Sequence, residues 1–194
     1  EDAAVAYGMP MGPFTLIDTL GLHLCFSVAD QLQEAFGERF ISARTKDITA
    51  KENLDGKAGG KGIYLWDESG RKLKVNDHFF FFFDLKLSDA EPSEEQVQQT
   101  QDPLFLPVLV EAAQRIEEKV IRKPRELDLA MVVGTGYPAF RGGPLRYADQ
   151  LGIGTVLERL KKVYGLSKSA PNRQPSKLLL SMQESGRRFY SSKE

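Results

Sequence analysis

The sequence predicts an all-α protein built as two tandem, duplicated helical domains. Three observations carry that expectation. A glycine-proline block occurs twice, apolar residues recur at helical spacing along most of the chain, and only Ile63-Tyr64-Leu65-Trp66 reads as a short strand or a docked extended segment. The first block is Gly8-Met9-Pro10-Met11-Gly12-Pro13-Phe14 followed by Asp18 and Gly21. The second is Gly134-Thr135-Gly136-Tyr137-Pro138, then Gly142-Gly143-Pro144-Leu145, then Asp149 and Gly152. A second match follows each, Gly60-Lys61-Gly62-Ile63-Tyr64 and Gly186-Arg187-Arg188-Phe189-Tyr190. The offset is 126 at both outer anchors, from 8 to 134 and from 64 to 190, and 131 at the inner Gly-Pro, so the second copy carries a short insertion. Asp2-Ala3-Ala4 and Asp128-Leu129-Ala130 precede the two blocks.

The elements follow in order. Asp2 to Tyr7 is a short helical run stopped by Gly8 and Pro10. Pro13 suits the first turn of the next helix, where its missing N–H costs nothing. Beyond Gly21, the residues Leu24, Val28, Leu32 and Phe36 stand at helical spacing, and Gly37 is a C-terminal stop. Residues 44–62 are polar and rich in Gly and Lys, and read as a loop. Residues 67–100 read as a linker between the copies, with the run Phe79 to Phe83 inside it. Five adjacent phenylalanines exposed to water favour aggregation, so the expectation is that they dock in a groove or anchor a partner. A helix then begins at Pro103, with Leu106, Leu109, Val110, Ala113, Ile116 and Val120 as its apolar stripe. Pro124 opens another helix that Gly134 and Gly136 end. Pro144 to Leu151, Thr155 to Tyr164 and a run capped by Ser176 complete the pattern, with a loop at 167–175. The domain reading is therefore 1–66, a linker at 67–100, and 101–194.

Bulk composition narrows the function classes. Twenty-six basic and 27 acidic residues leave a net charge of −1, without the clustered excess of Lys and Arg that neutralising a nucleic acid needs. The lone Cys25 excludes an internal disulfide framework and fits a reducing compartment. No stretch approaches the roughly 20 apolar residues of a membrane helix. The chain begins Glu1-Asp2 without a starting Met, which reads as a piece of a longer protein.

Three local patterns resemble known sites. Gly134-Thr135-Gly136-Tyr137-Pro138-Ala139 fits the G-x-G-x-x-A order of a dinucleotide turn, but that turn needs a strand before it and a helix after it. Helical periodicity precedes it here and Pro138 follows, so the reading is a helix C-terminus and a tight turn. Lys57 to Gly62 lacks the order of a phosphate loop. His23 and His78 are too few and too far apart for a metal cluster. No catalytic, cofactor or metal constellation is complete in these residues.

Both glycine-proline blocks, the Gly60-to-Tyr64 loop and Tyr137-Pro138-Ala139-Phe140-Arg141-Gly142-Gly143-Pro144-Leu145-Arg146-Tyr147-Ala148-Asp149 together resemble one family. It is the C-terminal region of the multifunctional fatty-acid oxidation α-subunit, with enoyl-CoA hydratase and 3-hydroxyacyl-CoA dehydrogenase activities. The resemblance covers nearly the whole chain apart from 67–100. It implies two copies of the helical dehydrogenase C-terminal domain, forming an internal pseudo-dimer. It implies NAD-dependent oxidation of a 3-hydroxyacyl-CoA by the parent, with the His–Glu base pair and the NAD-binding Rossmann domain upstream of Glu1. The first helix of the first copy, which carries the family's substrate-holding Asn, is also expected before Glu1. The fragment alone is then expected to be inactive. Met11 and Phe14 become candidates for an apolar wall beside the acyl chain. The family carries an acidic residue or Asn where this chain has His23, and an aromatic where it has Val133, so these complete the substrate-facing candidates with altered polarity. The expected partners are the acyl-CoA, the Rossmann and hydratase domains of the parent, and a thiolase β-subunit, with no nucleic acid. The expected compartment is the bacterial cytoplasm, with the mitochondrion as the alternative. A purely structural module and a standalone nucleotide-binding protein are the rival readings.

Overall fold

A computed structural model of the chain describes residues 1–37, 54–82, 90–166 and 175–190. The expected loop residues 44–53 and 167–174, together with Phe83 and the last four residues, lie outside them. The elements are α1 (Asp2–Tyr7), α2 (Pro13–Leu20), α3 (Leu22–Phe36), β1 (Tyr64–Trp66), β2 (Lys72–Val75), α4 (Asp77–Phe82), α5 (Glu94–Glu117), α6 (Pro124–Thr135), a 3₁₀ turn (Ala139–Arg141), α7 (Pro144–Leu151), α8 (Ile153–Leu166) and α9 (Lys177–Ser185). The described residues are mostly helical, as expected, with one two-stranded sheet. They form two compact units, Glu1 with Met11–Glu91, and Asp2–Pro10 with Pro92–Glu194.

In the first unit Pro13 stands in the first turn of α2, and Gly21, at φ 90°, separates α2 from α3. β1 and β2 pair antiparallel, Tyr64 with Val75 and Leu65 with Lys74, and the register shifts between Leu65 and Trp66. Asp67 builds the turn between them. Its carboxylate accepts the Ser69 and Arg71 backbone N–H groups, the Ser69 hydroxyl and the Arg71 Nε–H. A small core gathers Ile63, Tyr64 and Trp66 against Phe14, Ile17, Val75 and Phe79. Of the α3 stripe, Leu24, Val28 and Phe36 are exposed.

In the second unit α5 is the central helix. It buries Leu106, Leu109, Val110 and Ala113 against Val156, Leu157, Leu160 and Val163 of α8, Ala148 of α7, and Leu179 and Met182 of α9. Each fully buried leucine contributes about 1.5–3 kcal/mol of transfer free energy. Ala112, Leu127 and Leu145 form a neighbouring cluster with Met131 and Phe189. Ser176 caps α9 by accepting the Leu179 N–H.

The described residues of 67–100, expected to link the two copies, hold β2, α4 and the first turns of α5. α5 begins at Glu94, not Pro103, because Ser93 and Gln96 form a reciprocal capping box. Pro103 and Pro107 then lie inside the helix. Val120 falls beyond the end of α5 and is exposed. By its contacts α1 groups with the second unit.

Candidate functional site

The glycine-proline block of the first unit is built around two carboxylates. Glu1 accepts the Phe14 N–H at 3.0 Å and the Thr15 N–H at 3.3 Å, so it satisfies two free donors at the start of α2. The Thr15 hydroxyl donates to its other oxygen. Lys72 Nζ lies 3.8 Å from the same carboxylate and 4.4 Å from the Tyr64 ring centre. Burial raises the Glu1 pKa, but the Thr15 hydroxyl and the two amides outweigh it and hold the group below the usual carboxylate range. At the other end of α2, Asp18 is fully buried. It accepts Ile63 N–H at 2.8 Å, Tyr64 N–H at 2.8 Å and Trp66 Nε1–H at 2.9 Å. The glycines beside it are needed for space. A Cβ on Gly62 would lie 2.2 Å from Asp18 Oδ1, and one on Gly56 would lie 2.4 Å from the Asp18 carbonyl oxygen.

The second unit repeats this construction. Asp128 accepts Leu145 N–H at 2.8 Å and Arg146 N–H at 2.9 Å at the start of α7, and the Tyr190 hydroxyl at 2.7 Å. Burial pushes its carboxyl above the usual range against those three hydrogen bonds. Asp149 accepts Phe189 N–H and Tyr190 N–H, both at 2.9 Å. Arg146 lies 4.0 Å over the Tyr190 ring, the place that Lys72 takes over Tyr64.

Three of the four residues singled out from the sequence lie in the first unit. Met11 is 40% exposed, just before Gly12-Pro13. Phe14 packs half-buried against Ile63, Tyr64 and Trp66. His23 is on α3, its Nε2 3.3 Å from Asp55 Oδ1, with both side chains exposed. Val133 lies in the second unit on α6, 77% exposed. Sequence reasoning does not single out Leu16 and Leu20, which like Met11 stay exposed. Their i, i+4 spacing is the available signal.

The G-x-G-x-x-A run does not suit a dinucleotide. α6 runs through Gly134 and ends at Thr135, with Gly136 left-handed at its cap and donating its N–H to the Met131 carbonyl. A pyrophosphate needs the positive N-terminal end of a helix, and this is the opposite end. Among the described residues, no group of three or more His, Cys, Asp or Glu could hold a metal ion, and no helix is long and apolar enough to cross a membrane.

Fold and site together define a mostly helical, duplicated module in which one carboxylate caps a Gly-Pro helix start and another, near the other end of that helix, holds a downstream segment. The sequence model for the 3-hydroxyacyl-CoA dehydrogenase C-terminal domain matches residues 2–66 and again 102–193, and the chain belongs to that family. It is 32% identical over 190 residues to the fatty acid oxidation complex subunit alpha of Idiomarina loihiensis, covering 98% of this chain and 26% of that protein. The chain thus spans about a quarter of the length of this relative. Its fold is similar to the crystal structure of the dehydrogenase part of multifunctional enzyme 1 from C. elegans. The TM-score is 0.62 at 21% identity, over 93% of this chain and 40% of that one.

Proposed function

We propose that this chain is the C-terminal helical part of an NAD-dependent 3-hydroxyacyl-CoA dehydrogenase within a multifunctional fatty-acid β-oxidation protein. In this reading it walls the acyl side of the substrate cleft and mediates assembly with the nucleotide-binding and hydratase domains of the parent chain. The observation that carries the reading is the family match over both halves, continuous with a fatty acid oxidation α-subunit over nearly the whole chain. The exposed apolar surface of Met11, Leu16 and Leu20 supports it, because an acyl chain needs an apolar wall. NAD, when bound in the parent, accepts the hydride. The described carboxylates at the two blocks are committed to backbone N–H groups, and the helix end at Gly136 is of the wrong polarity for pyrophosphate. Base and cofactor site are accordingly assigned to other domains of the parent. His23 is proposed as a substrate-facing residue of the first unit, and Val133, separately, as one of the second. A thiolase β-subunit is the proposed partner chain, and the bacterial cytoplasm the proposed compartment.

A second reading, a purely structural module without substrate contact, is favoured by Phe14, which is already spent on the Trp66 cluster. The two are separated by following NADH oxidation with acetoacetyl-CoA, for this chain and for the parent-length protein, and by repeating the parent-length assay on a long-chain 3-ketoacyl-CoA with Met11→Ser. Activity confined to the parent-length protein, with a raised long-chain KM in the variant, supports the first reading. An unchanged KM leaves the structural module. Activity in this chain alone defeats both.

A further inference from the structure

The segment Asp2–Pro10 belongs to the second unit, although Glu1 before it and Met11 after it belong to the first. Side chains fasten it there. Tyr7 is 2% exposed and its ring stacks on Phe105, centroids 3.7 Å apart and planes 9° from parallel. Its hydroxyl shares a 2.5 Å hydrogen bond with that of Tyr137. The Arg141 guanidinium lies 3.9 Å from the Tyr7 ring centre, 4.5 Å from that of Tyr147, and donates through Nε to the Tyr7 carbonyl. Gln101 Nε2 donates to the Ala3 carbonyl. Glycine makes the close approach possible. A Cβ on Gly8, at φ 113°, would meet Phe140 at 2.6 Å, and one on Gly136 would meet Pro10 at 3.1 Å.

We propose that Asp2–Pro10 is a docking segment and that the second unit carries the socket that recognises it. The ligand chemistry is a short helix ending in tyrosine, followed by Gly and Pro. The recognising groups are Phe105, Tyr137, Arg141 and Tyr147. The aromatic cage supplies stacking and cation–π attraction, and the paired hydroxyls supply specificity, since either one alone would be a buried orphan. The second unit is therefore incomplete without residues far upstream of it, and the halves 2–66 and 102–193 do not separate into self-sufficient bodies. This inference does not depend on the dehydrogenase reading.

The test is peptide-resolved hydrogen exchange on the full chain. Tyr7→Ala is expected to speed exchange at least about tenfold in α1, in α5 around 101–113 and in 137–147, while Ile63 to Trp66 keeps its wild-type exchange. Acceleration confined to residues 2–10, or equal acceleration in 63–66, overturns the proposal. Should Tyr7→Ala fail to fold, Tyr7→Phe and Tyr137→Phe decide. Each single variant leaves one buried hydroxyl unpaired and is expected to accelerate exchange in the socket, whereas the double variant removes both and is expected to be less perturbed than the sum. Strictly additive effects in that cycle would show that the hydroxyl pair does not specify docking.

Discussion

Glu1 stands to Gly12 as Asp128 stands to Gly143. In each unit a carboxylate accepts the first two N–H groups after a Gly-Pro step, and it occupies the place where a Cβ on that glycine would go. Such a Cβ would lie 2.3 Å from Glu1 Cδ in one unit and 2.4 Å from Asp128 Cγ in the other. The structural repeat therefore pairs Asp128 with Glu1, one residue before the Asp2 that the repeat offset in the sequence aligns with it. The glycine of the block is a consequence of the carboxylate. An N-terminal helix end offers free N–H groups and positive potential, and the acid can reach them only if residue 12 or 143 has no side chain.

Gly143→Ala is expected to destabilise the protein by about 3 kcal/mol or more, from the contact with Asp128 and from φ 106° together. Gly134→Ala makes the opposite prediction. Nothing lies within 4 Å of its added Cβ and the residue is helical, so the variant should gain about 0.5–1 kcal/mol. Urea unfolding of the two variants checks both. A destabilised Gly134→Ala would reopen the reading of 134–139 as a nucleotide turn.

Asp18→Asn is expected to cost about 3 kcal/mol, because an amide nitrogen must then face one of three N–H donors that the buried carboxylate now satisfies. The chain has one tryptophan, and its indole is one of those donors. Trp66 emission thus reports on the first unit. The prediction is a lower urea midpoint and a shifted emission in Asp18→Asn, against unchanged native emission in Asp149→Asn, whose lesion lies at Phe189 and Tyr190.

Much of this is legible in the sequence. Proline at the first helical position announces α2, α6 and α7, and Ser176 announces α9. The α5 stripe names four residues of the main core correctly. The misses have physical causes. Asp67-Glu68-Ser69-Gly70 is a turn signal between two short runs, and Lys72-Leu73-Lys74-Val75 alternates polar with apolar, but that run is only four residues long and largely exposed, so it reads as linker. Ser93 to Gln96 is a capping box in plain view, overruled by the expectation that a helix starts at Pro103 rather than running through it. The exposed stripe of α3 shows the limit of periodicity, which predicts a face without saying what covers it. Docking of α1 on the second unit is not readable at all, since Tyr7 and Tyr137 are 130 residues apart and only the folded chain pairs them.

Met11 and Phe14 divide stability from binding. Phe14→Ala removes a ring packed on the Trp66 cluster and is expected to cost about 2 kcal/mol, below the about 3–5 kcal/mol of a core phenylalanine because the side chain is only half-buried. Met11→Ala should change stability by less than about 0.5 kcal/mol, since the side chain is exposed. If Met11 walls the acyl chain, its truncation in the parent-length protein raises KM for long acyl-CoA substrates several-fold and spares acetoacetyl-CoA. Equal effects on both chain lengths would remove Met11 from the wall.

The two helix-capping carboxylates should respond oppositely to acid. The folded pKa of Glu1 is lowered, so its contribution to stability is complete above its unfolded value and is lost as pH falls through the folded one. The folded pKa of Asp128 is raised by burial, so its contribution is complete below the unfolded value and is lost as pH rises through the folded one. Both windows lie in the acid range, with that of Asp128 on the higher side of the ordinary aspartate value and that of Glu1 on the lower side of the ordinary glutamate value. NMR titration of the amides that each group accepts separates them. Phe14 and Thr15 N–H shifts should move with a midpoint below that of an exposed glutamate, and Leu145 and Arg146 N–H shifts with one above that of an exposed aspartate. Asp128→Asn should also abolish the fall in unfolding free energy that this group imposes as pH rises. A Leu145 and Arg146 midpoint at or below that of an exposed aspartate, or an acid profile indifferent to Asp128→Asn, would mean that the three hydrogen bonds on Asp128 outweigh its burial.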